Sequence, residues 1–498
     1  MTGTSMSGYT MVEWLASRAA SHGDKLALRS GRGDLTFAEL DREASAVARR
    51  LAAFGVGAGT RVAALLHNGP PFVILMHAVA RLGGILVPVN TRLASAELAW
   101  QLADAKPEIV IAAGETAGPA SAASASTRTR VVTWDEILAR TETSTELLQA
   151  VSLAAPQAIV YTSATSGRPK GVTLSFGNHW WSAVGSAINL GLHGDDRWLA
   201  PLPLFHVGGM AILWRSVIYG MASVVSERFD PVAVNRSIDE DGITIVSVVS
   251  AMLERMLDIR GGSPYPAALR AVLIGGGPVP AALVDRCLAL GVPIAPTYGL
   301  TEAASQVATL TPREVSARPG SVGRPLLPNA VRIEDGEILV RGPSVMICYA
   351  DRPEATARAL DGGWLRTGDL GYLDDDGYLY VLDRREDLIV SGGENVYPAE
   401  VEAVLREHAS VEDAAVVGVP DATWGQVVAA AVQRRPSATM TEAALIAHCE
   451  ARLAKYKVPK TVAFVSELPR SPGGKIMRRA VIARLQQAPR SRATTGGA

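Results

Sequence analysis

With 498 residues, the chain is too long for one ordinary core and is expected to form at least two domains, one of them large. Its 48% hydrophobic and 19% charged residues and net charge of −1 mark a globular protein with no long-range field for nucleic acid or anionic lipid, which excludes polyanion binding as its main role. Cys287, Cys348 and Cys449 lie far apart without CxxC spacing, excluding a disulfide framework or thiolate metal site and favouring a reducing cytoplasm.

The first 23 residues have no basic start followed by an apolar stretch, and no later run of about eighteen apolar residues occurs, so neither export nor a membrane span is expected. Leu40, Ala44, Val47, Leu51 and Phe54 recur at steps of four and three after a Thr36 to Glu39 capping box and before Gly55, which predicts an amphipathic helix. "RVAALLHNG", "PFVILMHAVARLGG", "ILVPVN", "SAELAWQLADA" and "EIVIAA" then alternate β-branched runs with helical periods, the pattern of βαβ units around a parallel sheet. "AGPASAASASTRTR" has no period and reads as a solvent loop. "ASVVS", "TIVSVVS", "LRAVLIGGG" and "VPIAPTYG" repeat the alternation over roughly residues 180–310, predicting a second α/β layer system.

After about residue 325 the texture changes to short strands and turns, which predicts antiparallel hairpins. A boundary at "DRRED" gives a large domain over 1–384 and a small α+β domain over 385–485, with 486–498 expected to be disordered.

Five segments combine residue types suited to chemistry. In "YTSATSGRPKGVTLS", Thr162, Ser163, Thr165, Ser166, Gly167 and Lys170 offer hydroxyls, backbone N–H groups and one mobile cation, a set that suits a polyphosphate and equally suits a polar turn. It is not a Walker A loop, because the GxxxxGK[ST] spacing is missing. "TYGLTE" places Tyr298, Thr301 and Glu302 after a strand, where a hydroxyl and a carboxylate meet phosphate and magnesium, or where Thr301 simply caps a helix. Asp369 in "GGWLRTGDLG" is a turn residue or a ribose ligand. "DRREDLIVSGGENVYPAEVE" reads as a linker, and Lys475 in "LPRSPGGKIMRR" sits in a Gly/Pro loop.

In their order, these segments resemble the adenylate-forming superfamily of acyl-CoA synthetases, luciferases and peptide-synthetase adenylation domains, over about residues 9 to 482. The resemblance implies an α/β fold: a large N-terminal domain of two layered α/β sheets plus a distorted β-barrel, hinged to a small mobile α+β domain. It implies ATP, Mg2+ and coenzyme A as cofactor and co-substrates, a carboxylic acid as the remaining substrate, no nucleic acid, and cytoplasmic location; a homo-oligomer stays open. The stretch Gly177 to Gly220 is most like that of the o-succinylbenzoate–CoA ligases of menaquinone synthesis.

By this resemblance, residues Thr162 to Lys170 grip the β- and γ-phosphates, Thr301 touches the α-phosphate and Glu302 holds magnesium. Gly275, Gly276 and Gly277 wall the adenine, Gly276 also bordering the acyl site, with Tyr298 beside the nucleotide and Asp369 and Arg384 at the ribose. Lys475 bridges carboxylate and α-phosphate. Gly392 and Gly393 flank the CoA path, and Glu386 stands at the hinge, where Asp or Lys is more usual. For the acyl site, His206, Arg215 and Asn178 are candidates, with His179 beside them; Arg215 would meet the second carboxylate of o-succinylbenzoate. The plain alternatives are a core histidine, a helix-surface arginine and structural supports.

The phosphate loop departs from the family at Ala164, where glycine is usual, and at Ser166, where threonine is usual. Other readings remain at this level: a CoA ligase for another aromatic or medium-chain acid, a non-catalytic adenylate-binding protein, or an adenylation domain serving a separate carrier protein.

Overall fold

The computed structural model describes residues 9–127, 129–162, 169–277, 279–384, 388–435, 438–469 and 476–487. The chain divides into two compact units, the first made of Met1–Thr91, Leu98–Thr162 and Lys170–Arg384, the second of Arg385–Ala498 together with Arg92–Glu97 and Ser163–Pro169. The fold is α/β, with a large N-terminal and a small C-terminal part.

The first unit contains two large sheets. One has seven strands, in the order 348–349, 170–175, 156–162, 85–88, 61–65, 109–112 and 130–133. Its last five strands pair in parallel, and the first two close the edge antiparallel. The other has nine strands, 324–325, 305–309, 294–300, 271–274, 245–248, 197–200, 222–225, 26–30 and 33–36. Its central strands are parallel and nearly devoid of charge, as a sheet covered on both faces requires. Helices Phe176–Leu190 and Val207–Tyr219 pack beside it, and Trp198, Trp214 and Leu213 are buried there.

The capping box predicted at Thr36 is present. Thr36 Oγ1 accepts from the Glu39 N–H, the Glu39 carboxylate accepts from the Thr36 N–H, and the helix runs Phe37–Ala52. Phe54 falls just past its end. The stretch 117–130, expected to be a solvent loop, instead opens with a helix, Ala117–Ser124. Alanine is the strongest helix former, and Ala120, Ala123 and Ser124 are buried. The parallel crossover from Ile109–Ala112 to Arg130–Thr133 needs an element at this place, and an all-small face carries no apolar period to announce it.

Beyond residue 325 the expected hairpins form a five-stranded antiparallel sheet of 330–334, 337–341, 364–373 and 360–361, with 379–384 added along 364–373. The second unit has its own five-stranded sheet, built on the long hairpin of Val411–Asp421 and Gly425–Arg434. Val401, Leu405, Val416, Val432 and Leu445 are buried against it. Its last helix, Arg478–Gln487, reaches into the segment 486–498; of that segment, residues 488–498 lie outside the described residues.

Candidate active site

The hairpin of strands Pro156–Thr162 and Lys170–Ser175 carries the proposed phosphate loop, and its register places Thr162 directly opposite Lys170. Ser163, Ala164, Thr165, Ser166 and Gly167 lie outside the described residues. The hairpin is pinned just before the loop: the Tyr161 hydroxyl donates to Asp104 Oδ2 at 2.8 Å, and Arg352 binds the other oxygen of that carboxylate. Burial, and then Asp104, push the Tyr161 phenol far above its ordinary range, so it stays a donor.

The "TYGLTE" segment ends strand Ile294–Leu300 and enters a single 3₁₀ turn, Thr301–Ala303, so Thr301 opens a turn and caps no long helix. The chain then reverses within two residues. Ala304 has φ +51° and Ser305 φ +98°, conformations that cost a non-glycine residue about 1–3 kcal/mol each. Ser182 holds the reversal by donating from Oγ to the Ala304 carbonyl at 2.7 Å. Gly299 makes it sterically feasible, because a Cβ there would sit 1.8 Å from the Ser305 carbonyl oxygen. Backbone strain kept at one polar turn, with external support, is typical of a functional site.

This turn delivers Glu302 into the interior. Its Oε1 accepts from the Tyr349 hydroxyl at 2.8 Å, and its backbone carbonyl accepts from the Met346 N–H at 2.8 Å. Burial raises the pKa of Glu302; the Tyr349 bond and Lys170 oppose that rise, and Asp369 adds to it. Lys170 Nζ lies 4.9 Å from the centre of the Tyr349 ring. The Tyr298 hydroxyl donates to Asp369 Oδ2 at 2.6 Å, and Arg384 is the residue opposite Asp369 in the pairing of strands 364–373 and 379–384. Four predicted residues, Lys170, Tyr298, Glu302 and Asp369, are thus brought into one constellation from three distant segments. Gly275, Gly276 and Gly277 follow the strand Ala271–Ile274, with Gly276 at φ +78°.

Glu302 also fits magnesium. Among the described residues no group of three or more His, Cys, Asp or Glu side chains forms a metal cage. A single, partly buried carboxylate is the donor set expected when Mg2+ takes most of its remaining ligands from phosphates and water.

The acyl-site candidates separate sharply. His206 occupies the N-terminal cap position of helix Val207–Tyr219, its ring 4.6 Å from that of Phe205. Asn178, expected beside the acyl substrate, is instead a clasp. Its Oδ1 accepts from the Ser175 N–H at 2.8 Å, completing a capping box, and its Nδ2 donates to the carbonyls of Pro343 and Val345 at 2.9 and 2.8 Å. Both amide hydrogens are spent, which leaves none to offer a ligand.

Arg215 is neither a surface charge nor a salt-bridged one. It is 2% exposed, stacks over Trp198 at 5.1 Å beside the Tyr219 hydroxyl, and has Nε and Nη2 buried without hydrogen-bond partners among the described residues. Burial lowers its pKa. A guanidinium out of water with donors unmatched costs several kcal/mol, roughly, until an anion or water meets it. His179 lies beside it, with Nε2 also unmatched and its pKa pushed down to about 3 by burial and then by Arg215, so the ring is neutral. Ser186, on the same helix as His179, lies beside the Tyr219 hydroxyl, as Arg215 does. The Tyr219 hydroxyl bonds the Ala183 carbonyl one turn along from Arg215.

In the second unit, Gly392 and Gly393 make the turn between strands Ile389–Ser391 and Glu394–Val396, at φ +59° and +87°. The Gly392 N–H donates to the Trp424 carbonyl at 2.9 Å, and a Cβ on Gly392 would lie 2.6 Å from the Trp424 ring. Glu386 and Lys475 lie outside the described residues. The Met477 N–H donates to the Pro469 carbonyl at 2.8 Å.

Sequence reasoning missed Tyr349, Ser182, Tyr219 and the steric role of Gly299. The tyrosine of "MICYADRPEAT" carries no local signal, since its partners are 47 and 179 positions away.

Residues 15–350 match the AMP-binding enzyme family, and residues 400–475 match the AMP-binding enzyme C-terminal domain. The chain is 49% identical over 480 residues to a 2-succinylbenzoate–CoA ligase of Geobacillus kaustophilus, covering 94% of this chain and 97% of that one. Its structure is similar to that of a double mutant of the o-succinylbenzoate CoA synthetase of Bacillus subtilis bound to the product analogue OSB-NCoA, with TM-score 0.91 and 39% identity, covering 96% and 99% of the two chains. The same Bacillus enzyme in complex with ATP and a magnesium ion aligns with TM-score 0.73 and 38% identity, over 95% and 99%. With two thirds of its length matched by the first of these families, the chain belongs to the AMP-binding enzymes.

Proposed function

We propose that this chain is an acid–thiol ligase that joins 2-succinylbenzoate to coenzyme A at the expense of ATP, in menaquinone biosynthesis in the cytoplasm. In the first half-reaction the succinyl carboxylate attacks the α-phosphorus of ATP and expels diphosphate, leaving an acyl-adenylate. In the second, the thiol of coenzyme A attacks the acyl carbon and expels AMP. No enzyme nucleophile is needed, so the residues act by holding two anions together and dispersing their charge.

The observation that carries this reading is the convergence of Lys170, Glu302 and Asp369, two carboxylates and one ammonium linked through Tyr349 and Tyr298. Lys170, with the loop before it, receives the β- and γ-phosphates, and Thr301 the α-phosphate. Asp369, its orientation fixed by Tyr298, accepts the ribose hydroxyls together with Arg384. Glu302 holds the magnesium ion, which neutralises phosphate charge when bound. Lys475 then neutralises the approaching carboxylate, a task suited to a compact charge on a flexible stem.

The choice of acid rests on Arg215. Its buried, unmatched N–H groups, backed by neutral His179, form a donor set that an aromatic carboxylate would complete. His206, at the mouth of the same helix, borders the reacting end. Diphosphate release from ATP and 2-succinylbenzoate without coenzyme A, followed by thioester formation on adding it, tests both half-reactions.

A further inference from the structure

We propose that Tyr349 is a positioning residue for the adenylation half-reaction, holding the magnesium carboxylate and the phosphate lysine at once; this rests on the reading above. Tyr349 is 8% exposed and lies on the two-residue strand Cys348–Tyr349, paired antiparallel to the strand that begins with Lys170. Its backbone is tied on three sides. Its own N–H donates to Thr356 Oγ1 at 3.0 Å, the Ala350 N–H donates to the Gly171 carbonyl at 2.7 Å, and the Ile347 N–H donates to the Thr173 carbonyl at 3.0 Å. A short edge strand fixed this firmly sets the ring rather than following it.

From that position the side chain meets both groups. The hydroxyl donates to Glu302 Oε1, so the second carboxylate oxygen keeps one place, and a metal ligand held in orientation by a neighbouring donor binds more tightly than a free one. The ring face lies under Lys170 Nζ. The aromatic face attracts the ammonium and so helps to fix where the lysine presents its charge to arriving phosphate. One aromatic residue therefore couples the metal and phosphate ligands of the first half-reaction and has no part in the second.

Full-length enzyme carrying Tyr349→Phe keeps the ring and loses the hydroxyl; Tyr349→Leu loses both. For Tyr349→Phe the expected result is an approximately tenfold higher magnesium requirement in diphosphate release, the effect of one hydrogen bond to a charged group. Binding of Mn2+ with ATP, followed by electron paramagnetic resonance, should weaken in parallel. Tyr349→Leu should in addition weaken ATP binding at saturating metal. Thioester formation from supplied acyl-adenylate should be unchanged in both. If the leucine variant does not fold, the near-isosteric phenylalanine variant decides alone. Wild-type metal requirement and Mn2+ binding in Tyr349→Phe, or equal loss of both half-reactions, would overturn the assignment. A wild-type enzyme that releases no diphosphate would instead refute the underlying reading.

Discussion

Tyr298 and Asp369 meet at 2.6 Å, a hydroxyl at the end of a sheet strand fixing a carboxylate on the antiparallel sheet 71 residues later. That bond aims a carboxylate that the sequence allowed to be a turn residue but that lies within strand Trp364–Leu373, beside Gly368 at φ +75°. Asp369→Ala should raise the KM for ATP more than about tenfold, because a charged acceptor proposed for two ribose hydroxyls is lost. Tyr298→Phe should raise it about threefold, since it loosens the carboxylate without removing it. Steady-state kinetics at saturating acid check both, and the KM for coenzyme A should not move.

Arg215 predicts a substrate-dependent loss. Arg215→Ala should lower kcat/KM for 2-succinylbenzoate about a hundredfold, as expected when one partner of a buried charge pair is removed. An analogue lacking the aromatic carboxylate should lose less than about threefold, because it never used that partner. Arg215→Lys should recover little, since a lysine cannot reproduce the planar fork of donors. Equal losses for both acids would assign Arg215 to packing over Trp198.

The two halves of the chemistry should separate by mutation. Lys475→Ala should abolish acyl-adenylate formation and leave thioester formation from supplied adenylate largely intact. Gly392→Ala should do the reverse. Its new Cβ collides with the Trp424 ring at 2.6 Å and its φ of +59° disfavours any side chain, so the turn must shift. Rapid-quench assays of each half-reaction read the difference.

His77 and His179 give stability a defined pH dependence. Both are buried, with pKa values pushed down to about 3, mainly by burial and secondarily by Arg81 and Arg215 respectively. In the unfolded chain they titrate near 6.5. Between these values the unfolded state binds more protons, so stability rises with pH, by about 1.4 kcal/mol per unit for each histidine. Their full contribution is present above pH 6.5 and is lost as pH falls below it. Urea denaturation from pH 7 to pH 5 should show this slope, and His77→Gln and His179→Gln should each remove about one proton's share of it.

The sequence made the layered sheets legible because their strands are β-branched runs between helical periods, and "RVAALL" or "TIVSVVS" admits few other readings. Ala117–Ser124 escaped because helices of small residues have no apolar stripe to count. At the site, Thr301–Glu302 and Asp369 announced themselves as polar groups beside glycines. Asn178 was read as a ligand or a structural support, and its bonds match the second reading, since it is the N3 partner of the Ser175 cap. Tyr349 was invisible for a different reason: its role is defined by partners on other strands, and one sequence records no such pairing.

The most direct test follows the acid's oxygen. With 2-succinylbenzoate labelled with oxygen-18 in its succinyl carboxylate, attack on the α-phosphorus predicts that each turnover leaves one labelled oxygen in AMP and none in the released diphosphate. Label appearing in inorganic phosphate, with ADP as co-product, would mean attack at the γ-phosphorus and would contradict the adenylate mechanism.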